Sequence, residues 1–172
     1  MNSHISILDF REASLPLIVK WRNDGDVNKY LRQGYRALEE VREWYHDYFS
    51  SRENTLFAIR ADAVLIGYCT IEAVERSNNR CEVGIVIGEK AHWRKGIGSM
   101  VIRELLKTAF TDLRMHRVEA VIQADNVASV RCFSRIGFQL DGRLRDAKWR
   151  DGRYVDLLVY SILDEKWDRN QA

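Results

Sequence analysis

Cysteine is scarce in this chain: there are three in 172 residues, Cys69, Cys81 and Cys132, with no two close together. An odd, scattered set argues against a disulfide scaffold and fits reduced thiols, and no histidine joins them at metal-ligand spacing. Cys69 and Cys81 lie in apolar strand contexts and read as small core residues, while Cys132 has no neighbouring base to make it a nucleophile. A dominant charge is also missing, since 27 Lys and Arg against 25 Asp and Glu leave +2. The basic residues alternate with acidic ones in place of a stripe, so no nucleic-acid partner is expected. No apolar run approaches a membrane span, and Met1-Asn2-Ser3-His4 lacks the charged-then-apolar pattern of a leader, so a cytoplasmic protein with no membrane partner is expected. Repeats, linkers and low-complexity segments are absent. With 46% hydrophobic and 30% charged residues, the chain reads as one domain over residues 1–172, able to bury about 70% of its unfolded surface.

What is present concentrates between Cys81 and Phe138. An apolar run with β-branched residues, Cys81-Glu82-Val83-Gly84-Ile85-Val86-Ile87-Gly88, leads into Glu89-Lys90-Ala91-His92-Trp93-Arg94-Lys95-Gly96-Ile97-Gly98-Ser99. From Gly98 to Leu113, apolar residues recur at helical spacing: Val101, Ile102, Leu105, Leu106, Ala109, Phe110 and Leu113. A strand therefore feeds a glycine turn that opens an amphipathic helix. Helix starts carry unpaired N–H groups and partial positive charge, which suits a pyrophosphate. Gly96 and Gly98 remove Cβ atoms that would hold a phosphate off, and Arg94 and Lys95 add charge. Neither Gly-x-x-x-x-Gly-Lys-Ser/Thr nor the third glycine of the dinucleotide fingerprint is there.

Arg117 to Gln123 then alternates as a strand, with Val118, Ala120 and Ile122 on one face. Asp125-Asn126 signals a helix cap, and Val127 to Ile136 reads as a helix ending at Gly137-Phe138. Elsewhere, His4 to Arg11 reads as an opening strand, and Leu15 to Trp21 and Leu38 to Phe49 read as helices. Leu56 to Arg60 and Val64 to Ala73 form a hairpin around Ala61-Asp62-Ala63. Late strands run from about Phe138 to Ala147 and Tyr154 to Leu163, separated by Arg150-Asp151-Gly152. This order predicts an α/β (α+β) fold, with a mixed, mainly antiparallel sheet and helices on both faces.

The pattern resembles the GCN5-related N-acetyltransferases, in the branch of ribosomal-protein N-terminal and spermidine acetyltransferases. The likeness rests on Cys81 to Lys90 with Trp93-Arg94-Lys95-Gly96-Ile97-Gly98, on Leu113 to Glu119 and on Asn126 to Phe138. Asp141 to Asp146 and Asp151 to Asp156 extend it. It covers about residues 56 to 163 closely. The resemblance implies acetyl-CoA as cosubstrate and a parallel strand pair that splays to admit the pantetheine arm. It implies backbone contacts from Val86 and Ile87, a pyrophosphate cradle from Arg94, Lys95, Gly96, Ile97, Gly98 and Ser99, and contacts from Asn126, Ser129 and Phe133 on the opposite side. Two departures stand out. Arg94 occupies a usual glycine position, and Phe133 stands where the family usually has a tyrosine whose hydroxyl is proposed to protonate the departing thiolate.

The reaction so implied is direct attack of a neutral primary amine on the thioester. Deprotonating an amine of pKa about 10.4 at pH 7 costs roughly 4.6 kcal/mol, against about 1 for an α-amino group. Glu82 is the expected base, and Glu72, at the end of the preceding strand, is the reserve. A thiolate leaving unprotonated costs roughly 2 kcal/mol, so the loss of a phenol at Phe133 weakens the mechanism without abolishing it. Tyr154 and Tyr160 are half-buried strand residues by pattern, and His46, His92 and His116 read as surface or local polar groups. Substrate choice falls to residues Trp21 to Trp44, where Trp21-Arg22-Asn23-Asp24 and Tyr30-Leu31-Arg32-Gln33-Gly34-Tyr35 suit either a wall for a polar amine or amphipathic packing. Asp24, Asp26, Glu39, Glu40 and Glu43 are candidates to attract a cation. A peptide amino terminus, a polyamine, an aminoglycoside and an amino sugar all remain open as acceptor. Family members are often dimeric, and Trp149 and Trp167, read as exposed, are the interface candidates for a homodimer. The alternative reading, motivated by Phe133, is a CoA-binding regulatory or interaction module with little or no turnover.

Overall fold

The computed structural model describes residues 4–31, 37–49 and 53–167. Its strands are β1 (Ile5–Asp9), β2 (Thr55–Ala61), β3 (Val64–Glu75), β4 (Arg80–Ile87), β5 (Arg117–Gln123), β6 (Gln139–Arg150) and β7 (Arg153–Leu163). Its helices are α1 (Leu15–Asn23), α2 (Gly25–Asn28), α3 (Leu38–Phe49), α4 (Ile97–Lys107) and α5 (Val127–Ile136). The seven strands form one sheet in the order β1-β2-β3-β4-β5-β7-β6. β4 and β5 pair in parallel, while β1–β2, β2–β3, β5–β7 and β6–β7 pair antiparallel. No helix among the described residues is long and apolar enough to cross a membrane.

The chain divides into two compact units, Met1–Glu72 with Gly84–Val101, and Ala73–Val83 with Ile102–Ala172. In the first, the expected β2–β3 hairpin closes one residue tighter than the sequence suggests, with Ala61 in the strand opposite Val64 and Asp62-Ala63 left as the turn. Phe10, Leu15, Ile18, Trp21, Val41 and Tyr68 belong to its core. Pro16 lies in the first turn of α1, where its missing N–H costs no helical bond. α2 is a further short helix that the periodicity misses. Asp24 caps it by accepting from the backbone N–H groups of Asp26 and Val27, at 3.0 and 3.2 Å.

In the second unit, β5 pairs over its whole length with the latter part of β7, from Arg117↔Leu163 to Gln123↔Leu157. The helix expected to run to Leu113 changes form at Thr108. A π-helical turn, Thr108–Asp112, carries it on, with Leu113 N–H donating to the Thr108 carbonyl at 3.0 Å. That wider turn buries both Ala109 and Phe110. Trp167 corrects another expectation: it is 9% exposed, with its ring 5.4 Å from that of Phe110, so it is a packing residue. Trp149 is exposed as expected, at 61%, and meets Tyr154 edge to face across the β6–β7 turn at 4.8 Å.

Candidate functional site

In the first unit, β4 delivers Val86 and Ile87 half-buried, and the strand ends there, before a buried Gly88. Two glycines make this course possible. A Cβ on Gly67 of β3 would lie 2.2 Å from the Val86 carbonyl oxygen, and a Cβ on Gly88 would lie 2.1 Å from the indole of Trp21. The N–H groups of Gly88 and Glu89 both donate to the Ile66 carbonyl, at 2.8 and 3.0 Å. The Ile87 carbonyl accepts from the Trp93 indole at 2.8 Å, which uses one of its two lone pairs.

Beyond a 3-10 turn, Lys90–His92, the backbone enters the left-handed region at Arg94 (φ 60°) and again at Gly96 (φ 77°). A left-handed L-residue costs roughly 1–2 kcal/mol, so glycine would suit position 94 and Arg94 holds this backbone at a cost. Arg94 and Lys95 are exposed, Ile97 is buried, and Gly98 and Ser99 are half-buried at the opening of α4. The N–H groups of Ser99 and Met100 both turn back to the Gly96 carbonyl, at 3.1 and 3.2 Å. The sequence-expected cradle, Arg94 to Ser99, is thus one continuous loop and helix start, with two exposed cations on it.

On β3, Tyr68, Thr70 and Glu72 alternate onto one face. A Cβ on Gly84 would meet Thr70 Oγ1 at 2.6 Å, so this glycine makes room for the Thr70 side chain, with Glu72 Oε1 at an ordinary 3.8 Å. Tyr68 is 4% exposed. Burial pushes its phenol up, with the nearby Arg22 guanidinium pulling it back.

Trp21, left open by the sequence between a substrate wall and amphipathic packing, is a packing residue: it is 1% exposed and stacks on Tyr68, with ring centroids 6.3 Å apart. Asp24 and Asp26, sketched as cation attractors, ion-pair with Lys90 at 2.8 and 2.9 Å. Those bonds hold the Asp24 carboxyl below the usual range and push Lys90 up to about 12. Arg32, Gln33, Gly34 and Tyr35 of the expected acceptor wall lie outside the described residues.

In the second unit, Glu82 lies half-buried on β4, paired in parallel register with Glu119. Glu119 itself is held by Arg117 at 2.7 Å and approached by Arg80 at 3.9 Å. Asn126 caps α5, its side-chain oxygen accepting the Ser129 N–H at 3.2 Å, so these two expected cofactor contacts are already bonded to each other. The Asn126 amide nitrogen and the Ser129 hydroxyl are the groups with chemistry left to offer. Phe133 is 3% exposed and packs edge to face on Phe138, centroids 4.9 Å apart. Burial raises the thiols of Cys69 and Cys81, the latter to about 12, which leaves both as unreactive core residues.

Sequence reasoning missed the Trp21 and Lys90 bonds and the left-handed turn at Arg94. The one available signal was Gly88 itself, a glycine closing an apolar strand.

Residues 5–139 match the family described as an acetyltransferase (GNAT) domain. The chain is 32% identical over 157 residues to an uncharacterised N-acetyltransferase, p20, of Bacillus licheniformis, covering 88% of each protein. It is 24% identical over 169 residues to a spermidine N(1)-acetyltransferase of Vibrio cholerae, covering 97% of each. The crystal structure of spermidine N-acetyltransferase from Vibrio cholerae in complex with CoA and spermine superposes with a TM-score of 0.87 at 22% identity. That match covers 94% of this chain and 96% of the other.

Proposed function

The chain belongs to the GNAT acetyltransferase family, and from that premise we propose that it moves the acetyl group of acetyl-CoA to a primary amine by direct transfer in a ternary complex. One observation carries the cosubstrate assignment: the left-handed Arg94 and Gly96 turn the chain into α4 with Arg94 and Lys95 exposed on it. A helix start with cations beside it suits a pyrophosphate.

In this reading the first unit offers the Val86 and Ile87 backbone to the pantetheine arm and the loop Arg94 to Ser99 to the pyrophosphate. The second unit offers Asn126 and Ser129. We take residues 1–172 as one acetyltransferase domain. Glu82 takes the proton from the attacking amine, directly or through a water, and Glu72 is the reserve. The amine nitrogen then forms its bond to the acetyl carbon as the carbon–sulfur bond breaks and the electron pair leaves on sulfur. Phe133 has no proton to give, so water or the backbone must manage the thiolate, a cost of roughly 2 kcal/mol at pH 7.

The acceptor class is a primary amine. A polyamine heads the series, because a relative covering 97% of each protein is named for spermidine. Peptide amino termini, aminoglycosides and amino sugars follow. The acceptor wall is assigned to residues 21 to 44, less Trp21, whose ring is buried. A homodimer is our expectation for the assembly, supported by the exposed Trp149 and Tyr154 pair and testable by sedimentation.

The experiment is thiol release from acetyl-CoA against that panel of amines, with calorimetric titration of acetyl-CoA alongside. Amine-dependent release establishes the reaction and ranks the acceptors. Tight binding without release from any amine would favour the CoA-binding module, and no binding would overturn the cosubstrate assignment.

A further inference from the structure

The first helices of this unit are joined at three points to the short segment between the pantetheine strand and the pyrophosphate turn. The Trp21 indole lies flat against Gly88, so close that a methyl group there would overlap the ring. Its Nε1–H donates to Glu89 Oε1 at 2.9 Å, and Lys20 donates to the same oxygen at 2.6 Å. Two residues on, Lys90 bridges Asp24 and Asp26, which stand on the cap and first turn of α2.

The backbone of this segment is itself pinned to β3 through the shared Ile66 carbonyl. Residues 88–90 are therefore gripped from β3 below and grip α1 and α2 in turn. They are flanked on one side by Val86 and Ile87 and on the other by the loop from Arg94.

We propose that Trp21, Glu89 and Lys90 are positioning residues forming a latch, through which acetyl-CoA bound at Val86 and Ile87 and at the loop Arg94 to Ser99 orders α1 and α2 before the amine arrives. The inference rests on the proposed function, since it needs the cofactor at those flanks. Physically, a cofactor holding both flanks removes freedom from the segment between them. The helices attached to that segment lose freedom with it, so part of the ordering that the amine would otherwise have to impose is already complete.

The parts of the latch are unequal. The Lys20 and Lys90 pairs are largely exposed, and solvent screening leaves such pairs little to contribute. The Trp21 ring is 1% exposed, and its contact with Gly88 and bond to Glu89 carry most of the coupling.

The test is hydrogen exchange over residues 15–28 with and without saturating acetyl-CoA, with calorimetry on the same samples. Wild-type exchange there slows by about threefold or more on acetyl-CoA binding. That slowing is lost in Glu89→Ala, which removes a half-buried side chain without opening the core. It is reduced in Trp21→Phe, which keeps a ring over Gly88 and removes the donor. Acetyl-CoA affinity in Glu89→Ala stays within about threefold of wild type, because no proposed cofactor contact is touched. A purely structural role would speed exchange equally with and without acetyl-CoA, and that result overturns the latch. Binding without protection in the wild type overturns it as well, leaving the acetyltransferase reading intact. Absence of acetyl-CoA binding removes both.

Discussion

Two segments bear the proposed cofactor contacts, and they reach their shapes by different means. Residues 126–137 make a helix by local rules: Asn126 caps the start, and Gly137 ends it at φ 115° with its N–H returned to Ser134. Residues 86–99 obey no such rule. Their course depends on Gly67 lying under the Val86 carbonyl, on Gly88 lying under Trp21, and on an arginine held in a glycine conformation. A segment built locally can be altered at a local cost, whereas one built by tertiary contact transmits any change to what it touches.

Substituting the two glycines gives the sharpest contrast. Gly88→Ala should lose about 2–4 kcal/mol of unfolding free energy in denaturant titration, because the buried Trp21 ring has to move for the methyl group. Trp21→Leu in the same chain should recover part of that loss, and a double-mutant cycle reads the coupling; independent, additive losses would break the contrast. Gly137→Ala should cost about 1 kcal/mol. There a Cβ meets only Ile162 Cδ1 at an ordinary 3.6 Å, and the penalty is the left-handed backbone alone.

Asn126→Ala, which removes a single cap bond, should likewise cost about 1 kcal/mol of stability, read in the same titration. It should leave the fold of residues 86–99 unchanged. Arg94→Gly should move the other way. Relief of the left-handed cost, offset by the greater freedom of glycine in the unfolded chain, leaves a gain of up to about 1 kcal/mol, or roughly 2–4 °C in Tm. Calorimetry on the same variant should show weaker acetyl-CoA binding if the guanidinium faces the pyrophosphate.

The smallest effect is a pH dependence confined to the tertiary segment. Bonds from Lys20 and Trp21 lower the Glu89 carboxyl, and the bond from Lys90 lowers Asp24. A carboxyl whose folded value lies below its unfolded one adds stability above the ordinary range near pH 4, and that contribution is lost as pH falls through the lowered value. The Tm difference between wild type and Glu89→Ala should therefore shrink steadily below about pH 4. On the alkaline side the sign reverses: the Lys90 contribution is complete below the ordinary lysine value and lost as pH rises through about 12. The α5 caps, an amide and a glycine, do not titrate and should show neither trend.

Much of the architecture was legible from pattern. The helices Leu38–Phe49 and Val127–Ile136 and the strand Arg117–Gln123 fall where periodicity and caps place them. The strand, glycine turn and helix start that frame the proposed site were legible, because they are local features. The wiring of the site was not. Trp21 reads equally as wall or packing until Gly88 is brought beneath it, and Asp24 and Asp26 read as acids open to a cation until Lys90 reaches them. Trp167, near the end of the described chain, could be placed in the core only once Phe110 was turned inward by the π-helical turn.

By itself, then, the sequence determined the order and kind of the main elements and pointed to the loop we propose for the anion. Those follow from periodicity, caps and glycine spacing, interactions that span a few residues. Only the tertiary structure decided which glycines are required for space and which for backbone angle, and which acids are neutralised. It also decided which aromatic ring couples the first helices to the cofactor turn. Those properties depend on atoms about 65 residues apart in the chain meeting within a few ångströms, and no local pattern encodes that meeting.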